Sequence, residues 1–511
     1  MPDVFDIPSY DQGGRVATAL ERIADAQEGK TSSLSALERQ IATSFEIAKT
    51  GKVYRTRFYK FSTNSTSSGI KLGDNAGLVC TPSTDSVEGQ DDYADIPVFK
   101  WVRCNYIRDE ADGFARPTVL ENMPGFATAG AVDVGTLFMT FYWTVEVKST
   151  YYDVIVSDSP HTELGLVPWC EAVKSDGTVM PYFIYSSYPS GTASDGNLRS
   201  QPGLYPAYGA SHDNIIAAYQ KKGKGYWGAG ASRSTYIYIM LAIKYATKNI
   251  QKISAGCTSF NYITQLAVAE AGVKRVLIAS NPGYYAGCCV SVGTANADWN
   301  DSTSHDICDR VKVKSIETVT VSGTSYTALN LDIDSTINTA TTYYVKAFPC
   351  FAGETNSVIA HHDGAYLSNT DGRHTFRIQG LEILWGQWVV FSDIALSVNS
   401  DLTRDVYVAP RGVAHVAGAT TNMEKIGKIP LTTEGWIGDF SFDIAHGAFW
   451  PESLGSGDSV GVGDYYWRDT ATSGLREFLC HADLVDGSQA GFYVYSIYAL
   501  GYTWWAFASC D

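Results

Sequence analysis

What this sequence lacks narrows its reading before any motif is considered. None of its 10 cysteines forms a CxxC pair, and only Cys288 and Cys289 are adjacent. Several stand beside bulky apolar residues, as in Trp169-Cys170 and Leu479-Cys480, which fits buried thiols better than a zinc site or a disulfide framework. The 9 histidines are dispersed and no HExxH occurs, so the helical metalloprotease signature is missing. Charge is scarce at 18% of residues, and basic charge scarcer still: 38 Lys and Arg face 54 Asp and Glu, for a net −16. A surface that acidic repels phosphate backbones and anionic lipid, so neither nucleic acid nor a membrane is expected as a partner. The longest apolar run, Tyr236 to Ile243, ends at Lys244, too short to span a bilayer. The first residues, Met1-Pro2-Asp3-Val4-Phe5-Asp6, are acidic and carry no apolar h-region. A chain made in a cytosol and released by a route other than secretion, such as lysis, is the expectation.

What is present points to a β-rich protein. Hydrophobic residues make up 45% and aromatics 13%, with 32 Tyr, 12 Trp and 47 Gly in 511 residues. That composition suits strands joined by tight turns, at a length expected to form two to four domains. The fold class read from it is α+β and β-rich, with four parts. In residues 1–50, Val16, Leu20, Ile23 and Gln27 are spaced 4-3-4, and Leu34, Leu37, Ile41, Ser44 and Ala48 are spaced 3-4-3-4. This predicts a helical oligomerisation or attachment stalk, a trimeric coiled coil being one form of it. A single amphipathic helix packed on its own domain is the alternative. Residues 51–308 read as a mixed α/β region whose clearest helix is Tyr236–Asn249. Residues 309–350 alternate around Ser322-Gly323-Thr324 as a small β insert, and 351–511 form a Gly- and Trp-rich C-terminal part.

Three C-terminal stretches resemble a known family. Arg377-Ile378-Gln379-Gly380-Leu381-Glu382-Ile383-Leu384-Trp385-Gly386-Gln387-Trp388 is similar to the RG-x-E-N-x-WGNVWEW signature of the formylglycine-generating-enzyme branch of the C-type-lectin fold. Tyr407-Val408-Ala409-Pro410 resembles the strand that follows it. Asp486 to Tyr495, then Trp504 to Ser509, resemble the W-x-x-G-S-x-A-G-x-F ending of the variable proteins served by diversity-generating retroelements, among them phage tropism determinants. The motifs come in the family's order over about residues 370–511. Ile243 to Gln251, with Asp363-Gly364, Asn369 and Gly372, resembles tail-associated proteins of phages. Ile383 departs from an expected Asn, His481-Ala482 from a common Gly-Gly, and Cys510 from a frequent Arg.

The resemblance implies a C-type-lectin-like C-terminal domain on a phage tail-tip or fibre adhesin: a virion protein made in the bacterial cytoplasm, without enzymatic activity or cofactor. Implied partners are a host-surface protein or glycan, other tail proteins and two further copies in a homotrimer. Between Phe492 and Phe507, half of the residues are aromatic. Alternation places Phe492 and Val494 inward and Tyr493 and Tyr495 outward, with Tyr498 and Tyr502 flanking a turn at Leu500-Gly501. Tyr493, Tyr495, Tyr498, Tyr502 and Trp504 are the candidate receptor contacts, since burying them all would demand a polar partner for each. Asp483, Val485 and Gln489 upstream complete the set. Phe492, Trp505 and Phe507 are assigned to the core. Diversification at Asn codons is compatible with the four tyrosines and not with Trp504 or Gln489.

Rival chemistries have weaker signals. His361-His362-Asp363 reads as a surface turn before Asp363-Gly364 rather than a metal site, since adjacent side chains diverge on a strand. Trp299-Asn300-Asp301 matches the WND tripeptide of calcium lectins but lacks its upstream companion, so no metal is assigned. Asp91-Asp92 and Asp109-Glu110 could serve a glycan-cleaving tailspike only if the fold set them across a cleft. A structural decoration or baseplate protein is the remaining alternative.

Overall fold

The computed structural model describes residues 34–411, 416–496 and 498–511, without the side chains of 493–495. Strands dominate, and three α-helices occur among the described residues. A five-stranded antiparallel sheet runs in the order Ile70–Gly73, Val53–Tyr59, Tyr151–Ser157, Tyr142–Val147, Val167–Pro168. A four-stranded sheet is ordered Ala115–Leu120, Trp101–Arg108, Asp133–Met139, Tyr182–Ser186. The hairpin of Cys308–Val321 and Thr324–Leu331 belongs to a six-stranded sheet that also takes in Ile263–Gln265, Arg275–Ile278, Cys289–Gly293 and Tyr344–Phe348.

The C-terminal part builds a nine-stranded sheet around Trp388–Val398, which pairs with Arg404–Val408 on one side and Leu475–His481 on the other. Beyond Leu475–His481 lies Gly491–Ser496, which pairs in parallel with Tyr465–Arg468. Phe507–Ala508 returns to run parallel to Trp388–Val398. The last residues thus sit beside the aromatic signature that opens this sheet.

The expected α+β fold with an N-terminal helical stalk is corrected: the structure is mostly β-sheet, and no stalk or coiled coil occurs among the described residues. Its first half, Val16 to Gln27, lies outside those residues. Its second half is the helix Ala36–Ala48, which lies against the chain's own four-stranded sheet. Ser35 and Glu38 form a reciprocal capping box, which satisfies orphan amide groups at the helix start. Glu38 is buried, accepting from the Tyr182 hydroxyl at 2.6 Å and Arg116 at 2.9 Å. Ile41 and Phe45 pack with Tyr106, Phe114, Leu120 and Ile184. The buried stripe therefore runs through 38, 41 and 45, and its polar member is paired inside one subunit.

The expected helix Tyr236–Asn249 begins earlier and ends sooner. It spans Ala231–Met240, continues as a π-turn over Leu241–Tyr245, and stops at Ala246 in left-handed geometry. Every residue of Ala231–Met240 is buried, so both polar and apolar faces meet protein. Tyr236 packs among Phe138, Phe141 and Phe183, while Tyr238 meets Phe440 and Phe492. One core accordingly joins Tyr54 and Trp143 to Phe391 and Phe449.

The segment after this helix acts as a clamp. Lys244 donates to Asp363 at 2.6 Å and Asp91 at 3.1 Å, and Lys248 donates to Asp439 at 2.6 Å. Asn249 reaches the carbonyl of Asp458, and Gln251 that of Ala490. Each buried polar group ties a different distant stretch to the centre, because leaving it unpaired would cost about 1–3 kcal/mol.

Candidate functional site

Three of the aromatic candidates form a ledge on the loop between Gly491–Ser496 and Phe507–Ala508. The rings of Tyr498 and Tyr502 are parallel with centroids 4.0 Å apart, and Trp504 lies 6.4 and 6.3 Å from them, tilted by 19°. The turn at Leu500-Gly501 makes this possible: Tyr502 donates its amide to Ala499, and Leu500 is buried as a plug. Phe507 supports the pair edge-on, at 5.5 Å from Tyr498. Backbone bonds fix the loop to its surroundings, from Glu477 to the Tyr498 carbonyl and from Gly209 to that of Trp504. Tyr502 is 39% exposed, and Tyr498 and Trp504 are half-buried. The result is a preorganised aromatic stack with Tyr502 as its exposed member and few rotors left to freeze on contact.

Tyr493 and Tyr495 lie on Gly491–Ser496, an interior strand of the nine-stranded sheet; their side chains lie outside the described residues. Phe492, Trp505 and Phe507 are buried. Trp505 stacks on Trp299 at 5.4 Å, a partner that sequence reasoning missed because the two are remote in the chain.

The upstream candidates occupy a separate loop. Val485 is 49% exposed, Gln489 is half-buried and Asp483 is buried. Asp483 accepts from the Val485 amide at 2.9 Å, and Asp486 accepts from the Asp483 amide at 2.9 Å and the Trp388 indole at 2.7 Å. Burial pushes the Asp486 carboxyl up to about 6, and burial with the neighbouring Asp486 charge pushes Asp483 upward as well. Trp388 also touches Phe507 at 5.9 Å. This loop and the ledge are therefore joined through Trp388 and Phe507, with the signature tryptophan as the shared support.

The other signature residues are structural in detail. Arg377 donates to the carbonyls of Thr355, Val358 and His362. Glu382 is buried and accepts from the amides of Gly353 and Thr355 and the Thr355 hydroxyl. Gly386 has φ of +94°, and a Cβ there would lie 2.6 Å from Leu484. His481 has φ of 75°, a conformation costing roughly 1–2 kcal/mol. A contact between its imidazole and the Ser234 hydroxyl at 3.1 Å helps to hold it there. Burial drives this imidazole down to about 3, so it is neutral.

The metal and acid candidates resolve into local pairs. Asp363 is buried beside Asp91 and Cys80, and the ligand atoms of the three lie within 4.8 Å of one another. The Lys244 ammonium already contacts both carboxylates, and burial raises the Cys80 thiol to about 12, so a second cation is disfavoured there. His361 packs against Trp101, and His362 lies 3.3 Å from Glu88. Asp301 of the WND tripeptide caps the turn Ser302–Ser304, and Trp299 donates to the Ala347 carbonyl. Asp109 pairs with Arg116 at 3.1 Å. Among the described residues no helix is long and apolar enough to cross a membrane. Compared with known proteins, the sequence matches no family model and no curated protein.

Proposed function

We propose that this chain is a virion surface adhesin of a tailed phage, holding a host-surface protein or glycan against the ledge of Tyr498, Tyr502 and Trp504. The ledge is the observation that carries this reading. Parallel rings, braced from below by Phe507 and fixed by backbone bonds, give large contact area at low entropic cost. The lectin-like signature and the phage-like segment at 243–251 supply the biological setting, and the acidic net charge sets nucleic acid aside. Display as a trimer would multiply weak single contacts.

The test uses fluorescently labelled full-length protein and flow cytometry across a panel of Gram-positive and Gram-negative bacteria. One or more strains should be labelled, and the double change Tyr502→Ala, Trp504→Ala should cut labelling by roughly tenfold or more, as loss of a binding hot spot does, with the fold intact by circular dichroism. Undiminished labelling would overturn the reading. Protein that stays virion-bound and labels no strain would favour a structural decoration.

A further inference from the structure

A cavity of about 370 Å³ opens elsewhere on the molecule, between the six-stranded sheet and the segment that Arg377 and Glu382 hold. Its walls include Lys312, Phe351, Glu354, Asn356, Ser357 and Tyr366. The volume falls at the small end of the roughly 300–1,000 Å³ typical of ligand sites.

The rim is rigid from below. Glu382 fixes the amides of Gly353 and Thr355, and Arg377 fixes the Thr355 carbonyl. Gly353 has φ of +89°, and a Cβ would lie 2.6 Å from Pro202, so the close approach requires glycine. Glu354 accepts from the Thr375 amide at 2.8 Å and from the Tyr285 hydroxyl. Asn356 receives Arg103 at 2.6 Å and Tyr188 at 2.7 Å, both on Oδ1. Among the described residues its Nδ2 group meets no acceptor, and the Lys312 ammonium has no carboxylate partner, lying 4.9 Å from the Phe351 ring centroid. Outward donors therefore stand beside aromatic surface in a preformed recess.

We infer that this cavity binds a neutral carbohydrate, its hydroxyl and ring oxygens taken by Lys312 and Asn356 and its C–H face by Phe351 or Tyr366. The net −16 of the chain repels anions, so a neutral ligand fits better than an anionic one. This site is separate from the aromatic ledge and stands whether or not the ledge binds a receptor.

Saturation-transfer NMR on the full-length protein tests it, with glucose, galactose, rhamnose and N-acetylglucosamine as probes. Transfer to the ring protons of one or more of them is expected. It should fall about tenfold, equivalent to a tenfold change in the binding constant, in Lys312→Met and in Ser357→Trp, the latter filling the mouth from an exposed position. Val147→Ala, an exposed change outside the cavity lining, should leave it unchanged. Absence of transfer from every probe, transfer that survives both cavity variants, or binding of glucose 6-phosphate alone would overturn the inference. Loss in Tyr502→Ala but not in Ser357→Trp would place sugar at the ledge instead.

Discussion

The ledge and the cavity rim present recognition surfaces of opposite construction. The ledge rests on ring against ring, with Tyr498, Tyr502 and Trp504 braced by Phe507 and held by a few backbone bonds. The rim at 353–358 has little apolar packing of its own and hangs from two buried charged side chains, Glu382 and Arg377. Aromatic stacking tolerates substitution at its exposed edge, whereas a buried charge loses its compensation all at once when a partner is removed. Stability and binding should therefore separate differently in the two places.

Arg377→Ala should have the largest effect. Three carbonyls lose a buried donor, and urea titration should show a loss of about 3 kcal/mol or more, since each buried group left unpaired costs about 1–3 kcal/mol. A loss below about 1 kcal/mol, within reach of an ordinary surface change, would mean that the rim holds itself.

Glu477→Gln should act in the opposite direction beneath the ledge. The Glu477 carboxyl accepts from the His212 amide, and burial pushes it up to about 9. A carboxyl raised in the folded state contributes fully below its unfolded value of about 4.5 and loses that contribution as pH rises toward 9. Glutamine keeps the acceptor without the titration. The variant should thus gain about 2–3 kcal/mol at pH 7 by this linkage, and the gain should grow between pH 5 and pH 8. Equal gains at both pH values would refute the protonated carboxyl.

Gly386→Ala tests the signature between the two regions. The left-handed backbone and the clash with Leu484 predict a loss of about 1–2 kcal/mol, measurable as a shifted urea midpoint. Tyr502→Ala should be the mildest. Its side chain is partly exposed, so stability should change by less than about 1 kcal/mol while bacterial labelling falls.

The sequence carried the β-rich character because its alternating Val, Thr and Tyr residues report strand faces directly, as in Thr318-Val319-Thr320-Val321. It carried the Leu500-Gly501 turn for the same local reason. Heptad spacing suggests a stalk because it counts apolar residues, whereas the buried face of Ala36–Ala48 includes Glu38, whose partners Arg116 and Tyr182 are far along the chain. The sequence hides the start of helix Ala231–Met240 because Ser232, Ser234 and Thr235 look exposed until their buried partners are known. Stacking of Tyr498 on Tyr502 was only half legible, as proximity across a turn. The cavity was not legible at all, since Pro202, Lys312 and Asn356 come from three distant segments.

One further contact sets how such a molecule can form. Asp511 is buried and pairs with Arg108, 403 residues away, and with Lys222, which also holds Asp133. Next to it, Phe507–Ala508 completes its sheet only by lying beside Trp388–Val398. Closing loops of that length before local contacts can compensate slows folding. Until residues 507–511 dock, the edge of Trp388–Val398 and the charges of Arg108 and Lys222 lack these partners. Folding intermediates should consequently be long-lived and prone to associate through that open strand, so yield on expression should depend on temperature and on chaperone supply more than final stability suggests.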